Sequence, residues 1–152
     1  MPAYLQEWTA DDVARGVMRL LVRMGYAPLR EVTIGNGRRF DVLGLDAKGL
    51  LYGVEIKVAI ADLKGDAKWP EYLDYCDGFA FAVPPNFPND LVPASTGLII
   101  ADARGGEIVR PAPAASVVAA RRKATTLRFA QIAALRFAHA LDPELSAGGF
   151  EI

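Results

Sequence analysis

Asp41, Glu55 and Lys57 are the residues whose types and spacing could do chemistry. Side chains alternate between faces along a strand. Over residues 50–58, Glu55 and Lys57 therefore share one face while Val54, Ile56 and Val58 take the other. On the run before it, Phe40 and Val42 are expected on the apolar side, leaving Asp41 opposite them. A tight hairpin between the two runs would set Asp41 across from Glu55, so that two acids and a lysine converge. That set suits phosphodiester hydrolysis. A hard divalent cation, Mg²⁺ or Mn²⁺, takes one or two carboxylates plus water and phosphate oxygens, and the main-chain carbonyl of Ile56 could add a ligand. The ion would polarise the phosphoryl oxygen and acidify a water, while Lys57 could orient that water and offset developing charge. The same three residues would also serve as a solvated strand face, with Glu55 and Lys57 pairing with Asp41 and Arg39. If the three act as a catalytic unit, alanine replacements should each remove most cleavage and leave a thermal melt almost unchanged, whereas a melt lowered by several degrees would favour the paired strand face.

These residues need elements to position them, and the hydrophobic periodicity supplies a reading. Thr9 is a candidate N-cap with Asp12 three residues on, and Val13, Val17, Leu20, Leu21 and Met24 fall on one face of a helix ending near Gly25. Gly35-Asn36-Gly37 separates residues 29–34 from 39–45, and Asp46-Ala47-Lys48-Gly49 separates the latter from 50–58, which predicts a three-stranded meander. Residues 62–75 suit a short helix if Pro70 occupies its first turn. A buried strand is expected at 79–83. After the prolines at 84, 85, 88 and 93, short strands are expected at 97–101 and 107–110, joined around Gly105-Gly106. The alanine-rich stretch 116–141 reads as a helix with Leu127, Ala130, Ala134, Phe137 and Leu141 as its apolar face. The segment 146–152 is expected to be loosely held.

At 152 residues, the chain is long enough for one domain with a filled core and short for two. An apolar fraction of 52% and a charged fraction of 23% exclude a disordered or collagen-like chain. With a net charge of −1 there is no global positive field, so nucleic acid would have to be held by a local cluster. Cys76 is the one cysteine, which excludes an internal disulfide and a multi-cysteine zinc site and fits a cytoplasmic setting. No secretion leader or membrane-spanning run is expected. Cys76 reads as a small core residue, and His139 as a surface or helix-end group.

Asp41, one hairpin, then Glu55-x-Lys57 within an αβββαβ order resembles the PD-(D/E)XK nuclease superfamily. The stretches Gly37-Arg-Arg-Phe-Asp41, Val54-Glu-Ile-Lys57, Asp62 to Tyr72 and Cys76 to Val83 look more closely like the MmcB family of bacterial DNA-repair proteins. The resemblance covers about the first two-thirds of the chain. It implies an α/β fold with a restriction-endonuclease-like αβββαβ core, a mixed central sheet and a C-terminal helix. It also implies a metal-dependent DNA phosphodiesterase acting in DNA repair, with Asp41 and Glu55 on the ion and Lys57 catalytic. Phe40 stands where the superfamily name has a proline.

Relatives often place a glutamate on the first helix facing the metal, but that helix offers only Asp11 and Asp12; Glu31 is the alternative third acid. RecB-type relatives carry a Gln and a Tyr four apart beside the scissile phosphate, where this chain has Lys68 and Tyr72. Packing on the sheet is the plainer role for Trp69 and an equal one for Tyr72. Asp62 and Asp66 read as caps or ion-pair partners, with Asp66 also within the accessory set. Arg121, Arg128 and Arg136, beside Arg122 and Lys123, would share a side of the last helix and, with Arg39, could hold phosphates of a DNA partner. A catalytically silent module of the same fold, binding DNA or another repair protein, is the second reading. A third is an interaction protein whose last helix docks to another chain or to itself as a homodimer.

Overall fold

The computed structural model describes residues 7–146 and 148; most of the tail expected to be loose lies outside them. Helix α1 (Ala10–Arg23) opens on a reciprocal cap in which Thr9 Oγ1 accepts the Asp12 N–H and Asp12 Oδ2 accepts the Thr9 N–H. Val13, Val17, Leu20 and Leu21 are its buried stripe, while Met24, expected on that stripe, forms the C-cap and is partly exposed. Strands β1 (Tyr26–Thr33), β2 (Arg39–Asp46) and β3 (Leu51–Ile56) form the antiparallel meander, with Gly37 and Gly49 supplying the positive φ that its two turns need. Pro28 is tolerated because β1 is an edge strand.

The chain then crosses over, through α2 (Ile60–Lys64) and a 3-10 segment (Trp69–Tyr75), to β4 (Gly78–Val83), which pairs parallel with β3. One helix over 62–75 was the expectation. Gly65 ends the first piece, and Asp66 Oδ1 accepts the Lys68 and Trp69 N–H groups to start the second, with Pro70 in its first turn. Strand β4 is buried along its whole length between two parallel neighbours, hence its unbroken apolar run. Strands β5 (Gly97–Ala101) and β6 (Gly106–Arg110) complete a mixed sheet of order β1-β2-β3-β4-β5-β6. Helix α3 (Ala119–Leu141) closes the chain, beginning three residues later than the composition suggests.

The sheet separates two apolar cores. On one face α1 covers Val42, Val54, Ala80 and Ile99. Its approach is so close that a Cβ on Gly16 would stand 2.0 Å from the Asp102 carbonyl oxygen. On the other face the 3-10 segment and α3 cover Phe40, Leu43, Phe79 and Phe81. Here α3 corrects the sequence reading. Phe129, Ile132 and Thr125 face the sheet, whereas Leu127, Ala130, Ala134, Phe137 and Leu141, expected on the core side, face solvent. The arginines decide the rotation. Arg122 is bonded to both oxygens of Asp77 and to the Gly49 carbonyl, Arg128 to the Thr33 carbonyl, and Arg136 to the Arg30 and Glu31 carbonyls. Among the described residues no helix is long and apolar enough to cross a membrane.

Candidate active site

The β2–β3 ladder runs from Leu45–Leu51 to Val42–Val54 and stops there. Beyond it the next two residues exchange side-chain bonds in place of backbone ones. The Asp41 N–H donates to Glu55 Oε1 at 3.1 Å, and the Ile56 N–H donates to Asp41 Oδ2 at 2.7 Å. Asp41 and Glu55 are thereby clamped together, each carboxyl accepting a main-chain N–H of the other's strand.

The alternation that should place Phe40 with Val42 is broken here. Phe40 packs in the opposite core from Val42, its ring lying over Gly53, where a Cβ would stand 2.3 Å from it. Across on β1, Glu31 has φ 54, the left-handed region that non-glycine residues seldom enter. Local distortion of both strands at this register, which no periodic pattern encodes, rolls Phe40 beneath the site. Only a glycine at 53 leaves room for the ring.

Lys57 follows directly after β3, its N–H bonded to the Ala82 carbonyl. Its ammonium sits 2.9 Å from Asp66 Oδ2, each side chain only 13% exposed. Asp66 thus caps the 3-10 segment with one oxygen and holds Lys57 with the other. Tyr72 is buried, stacked on Phe79 and tilted against Phe40, and its hydroxyl donates to the Arg39 carbonyl at 2.8 Å. That bond fixes the backbone two residues before Asp41. Trp69 stacks on Phe79 as the packing role requires. Lys68 and Tyr72 do not share a helix face, because a 3-10 turn holds three residues and Lys68 is the exposed N-cap.

Electrostatics follow from this burial. Desolvation, then the neighbouring Asp41 charge, push the Glu55 carboxyl up to about 8. Asp41 is raised chiefly by desolvation, against the opposing pull of the Ile56 N–H, Lys57 and Arg39. Asp66 is lowered despite desolvation, by its bond to Lys57 and by the Lys68 and Trp69 N–H groups. Tyr72 is raised by burial and by the charges of Glu55 and Asp41, which puts its ring beside the acids.

When ionised, Asp41, Glu55 and Asp66 carry three negative charges around the single ammonium of Lys57, and Arg39, exposed, acts on Asp41 from the rim. A divalent cation would offset that excess. Among the described residues no three His, Cys, Asp or Glu side chains form a complete metal cage. Asp41, Glu55 and the main chain at Ile56 are the groups that could hold a hard cation, one that keeps water and takes phosphate oxygens, as Mg²⁺ does. Neither alternative third acid joins the pair. Asp12 is engaged in its cap and Asp11 in an ion pair with Arg30 at 2.8 Å, on the helix covering the other face. Glu31 is exposed and borders a surface hollow with Asp11, Arg30, Arg136 and His139. Asp62 is exposed in α2; Cys76 is a buried core residue.

The basic residues divide. Arg122, Arg128 and Arg136 do share the body-facing side of α3, but as clamps to the sheet, and Arg121 lies over the Tyr75 ring at 4.8 Å. Lys123 is exposed on the outer side. A basic group the sequence reading missed lies on α1, where Arg15, Arg19 and Arg23, four apart, line a surface hollow with Arg104, Met18 and Val22. The helical spacing of those arginines was the available signal.

A family model described as DNA repair protein MmcB-like matches residues 3–144. No curated protein matches the chain. A solved structure of a protein of unknown function from Silicibacter pomeroyi is 44% identical, with the match covering 97% of this chain and 99% of that one at a TM-score of 0.88.

Proposed function

Because the chain belongs to the MmcB-like family of DNA repair proteins, we propose that it is a divalent-metal-dependent DNA nuclease of the PD-(D/E)XK type, its αβββαβ elements forming a restriction-endonuclease-like core. The observation that carries this reading is the pairing of the buried Glu55 carboxyl with the half-buried Asp41 carboxyl at the end of the β2–β3 ladder, each accepting a main-chain N–H of the other's strand beside the half-buried Lys57. Holding two acids side by side away from water costs stability, which a bound cation would offset. Asp41 and Glu55 would hold Mg²⁺ or Mn²⁺, with the Ile56 carbonyl as a further ligand. The ion would supply Lewis acidity and a water of lowered pKa. Lys57, oriented by its ion pair with Asp66, would face the non-bridging phosphate oxygens and stabilise charge that develops in the transition state. Arg39 at the rim would take a flanking phosphate.

The test is incubation of the purified chain with single-stranded, duplex and branched DNA in Mg²⁺ or Mn²⁺, with and without EDTA, beside Asp41→Asn, Glu55→Gln and Lys57→Ala. Cleavage should require metal and fall at least ~100-fold in each variant, as expected when one member of a cooperating set is removed. Full activity in Lys57→Ala, or in EDTA, would sink the proposal. One observation favours a second reading, a silent module that binds DNA or a repair partner. The Lys57 ammonium is already paired with Asp66, as a non-cleaving protein would tolerate. Metal-independent DNA binding without cleavage would select that reading.

A further inference from the structure

We propose that the outer face of α3 is a self-docking surface, on which a second copy of this chain lays its own α3 antiparallel. The placement of side chains on this helix is inverted relative to an ordinary surface helix. Its arginines point at the sheet, and its long apolar side chains point away: Leu127 is 55% exposed, Phe137 68% and Leu141 73%. With Ala130 and Ala134, also exposed, they recur at alternating steps of three and four. That is the seam of a two-helix coil. The flanking positions Thr126, Gln131, Ala133, Ala138 and Ala140 carry no charge, although a solvated face would. The stripe runs over about 21 Å of helix, and beside Leu127 it merges with an apolar hollow lined by Ile34, Tyr75, Ala120 and Ala124.

The stripe complements itself, which is why a second copy is the occupant. A two-fold axis beside residue 132 sets Leu127 against the other copy's Phe137 and Ala130 against its Ala134, so bulk lies at the two ends and small residues meet in the middle. The same axis brings exposed Lys123 to the end of the other α3, at Leu141 and exposed Asp142. A cation there meets both the carboxylate and the negative end of the helix dipole. Parallel pairing would oppose Lys123 to Lys123 and Phe137 to Phe137. A C2 contact of this kind is the commonest form of self-association.

Light scattering coupled to size exclusion tests the proposal. The chain should be a concentration-dependent dimer, and Phe137→Glu should shift dissociation at least ~10-fold toward monomer with an unchanged thermal melt of the monomer, since the side chain touches little of its own fold. Lys123→Glu should weaken the dimer and Lys123→Glu with Asp142→Lys should restore it. A wild-type chain that stays monomeric at every concentration overturns self-docking and leaves the stripe to another protein. A dimer that survives Phe137→Glu overturns the choice of face. Failure of the charge exchange to restore pairing overturns the antiparallel register.

Discussion

Glu55 holds its proton well above the ordinary carboxylate range, and a metal ion at the proposed site would have to displace it. In the folded chain its carboxyl is raised from 4.5 to about 8, first by desolvation and then by the Asp41 charge. Between those values the folded state keeps a proton that the unfolded state has lost. The unfolded state therefore binds fewer protons, and stability falls as pH rises. This contribution is complete below about pH 4.5 and is lost as pH climbs through about 8. Thermal melts from about pH 5 to pH 8 should fall more steeply for the wild type than for Glu55→Gln, which carries no titrating group. Superimposable profiles would remove the buried acid from the account. The expectation of an unchanged melt also needs revision for alanine variants. Glu55 is 7% exposed and accepts the Asp41 N–H, so Glu55→Ala leaves a buried donor unpaired at a cost of about 1–3 kcal/mol. Gln and Asn replacements separate chemistry from folding.

At the scale of elements, the joint between α3 and the sheet rests on Asp77. Both its oxygens accept from Arg122, at 2.8 and 2.6 Å, one also accepts the Leu51 N–H, and its carbonyl accepts the Ala115 N–H. The Arg122 hydrogen bonds hold the Asp77 carboxyl below its ordinary value. A lowered acid contributes stability above its unfolded pKa that is lost as pH falls through the folded one. Arg122→Ala should cost about 2–3 kcal/mol, or roughly 5–10 °C in Tm, and should flatten the acid limb of the stability profile. A Tm within about 1 °C of wild type would show that the clamp carries nothing. The same geometry changes what the α3 arginines should do for DNA. Arg128 and Arg136 are turned to β1 carbonyls, so their loss should lower Tm and leave the salt dependence of DNA binding alone. Arg39→Ala should reduce the slope of log K against log salt by about 0.9. A flattened slope in Arg128→Ala, with none in Arg39→Ala, would reverse this assignment.

For the whole molecule, a chain whose net charge is only −1 gathers three carboxyl groups, those of Asp41, Glu55 and Asp66, around one lysine. An ion that binds the folded state and not the unfolded one stabilises it by mass action, by about 2.7 kcal/mol at a hundredfold excess over Kd. Saturating Mg²⁺ should raise Tm, more at pH 8 than at pH 6, because below about 8 a proton competes for Glu55. Glu55→Gln should lose most of that rise. An equal Mg²⁺ response in the variant would place the ion elsewhere.

The sequence by itself determined most of the elements, the break at Gly65 within 62–75 excepted. The Thr9–Asp12 cap, the glycine turns and the alternation of 50–58 placed the meander, and Asp41 and Glu55 meet at its end. These are local features, encoded by neighbours a few residues apart. Tertiary structure decided what depends on distant groups. Whether Lys57 answers to Asp66, whether Phe40 rolls over Gly53, and which side of α3 is inside are settled by contacts that no periodicity contains. Leu127, Phe137 and Leu141 were expected on the apolar face of α3, yet Thr125, Phe129 and Ile132 are the residues it buries. Asp77 and the β1 carbonyls, far from it in the chain, hold its partly buried arginines on the sheet side and leave the leucine and phenylalanine stripe outward, because a charged group taken from water has to be paired.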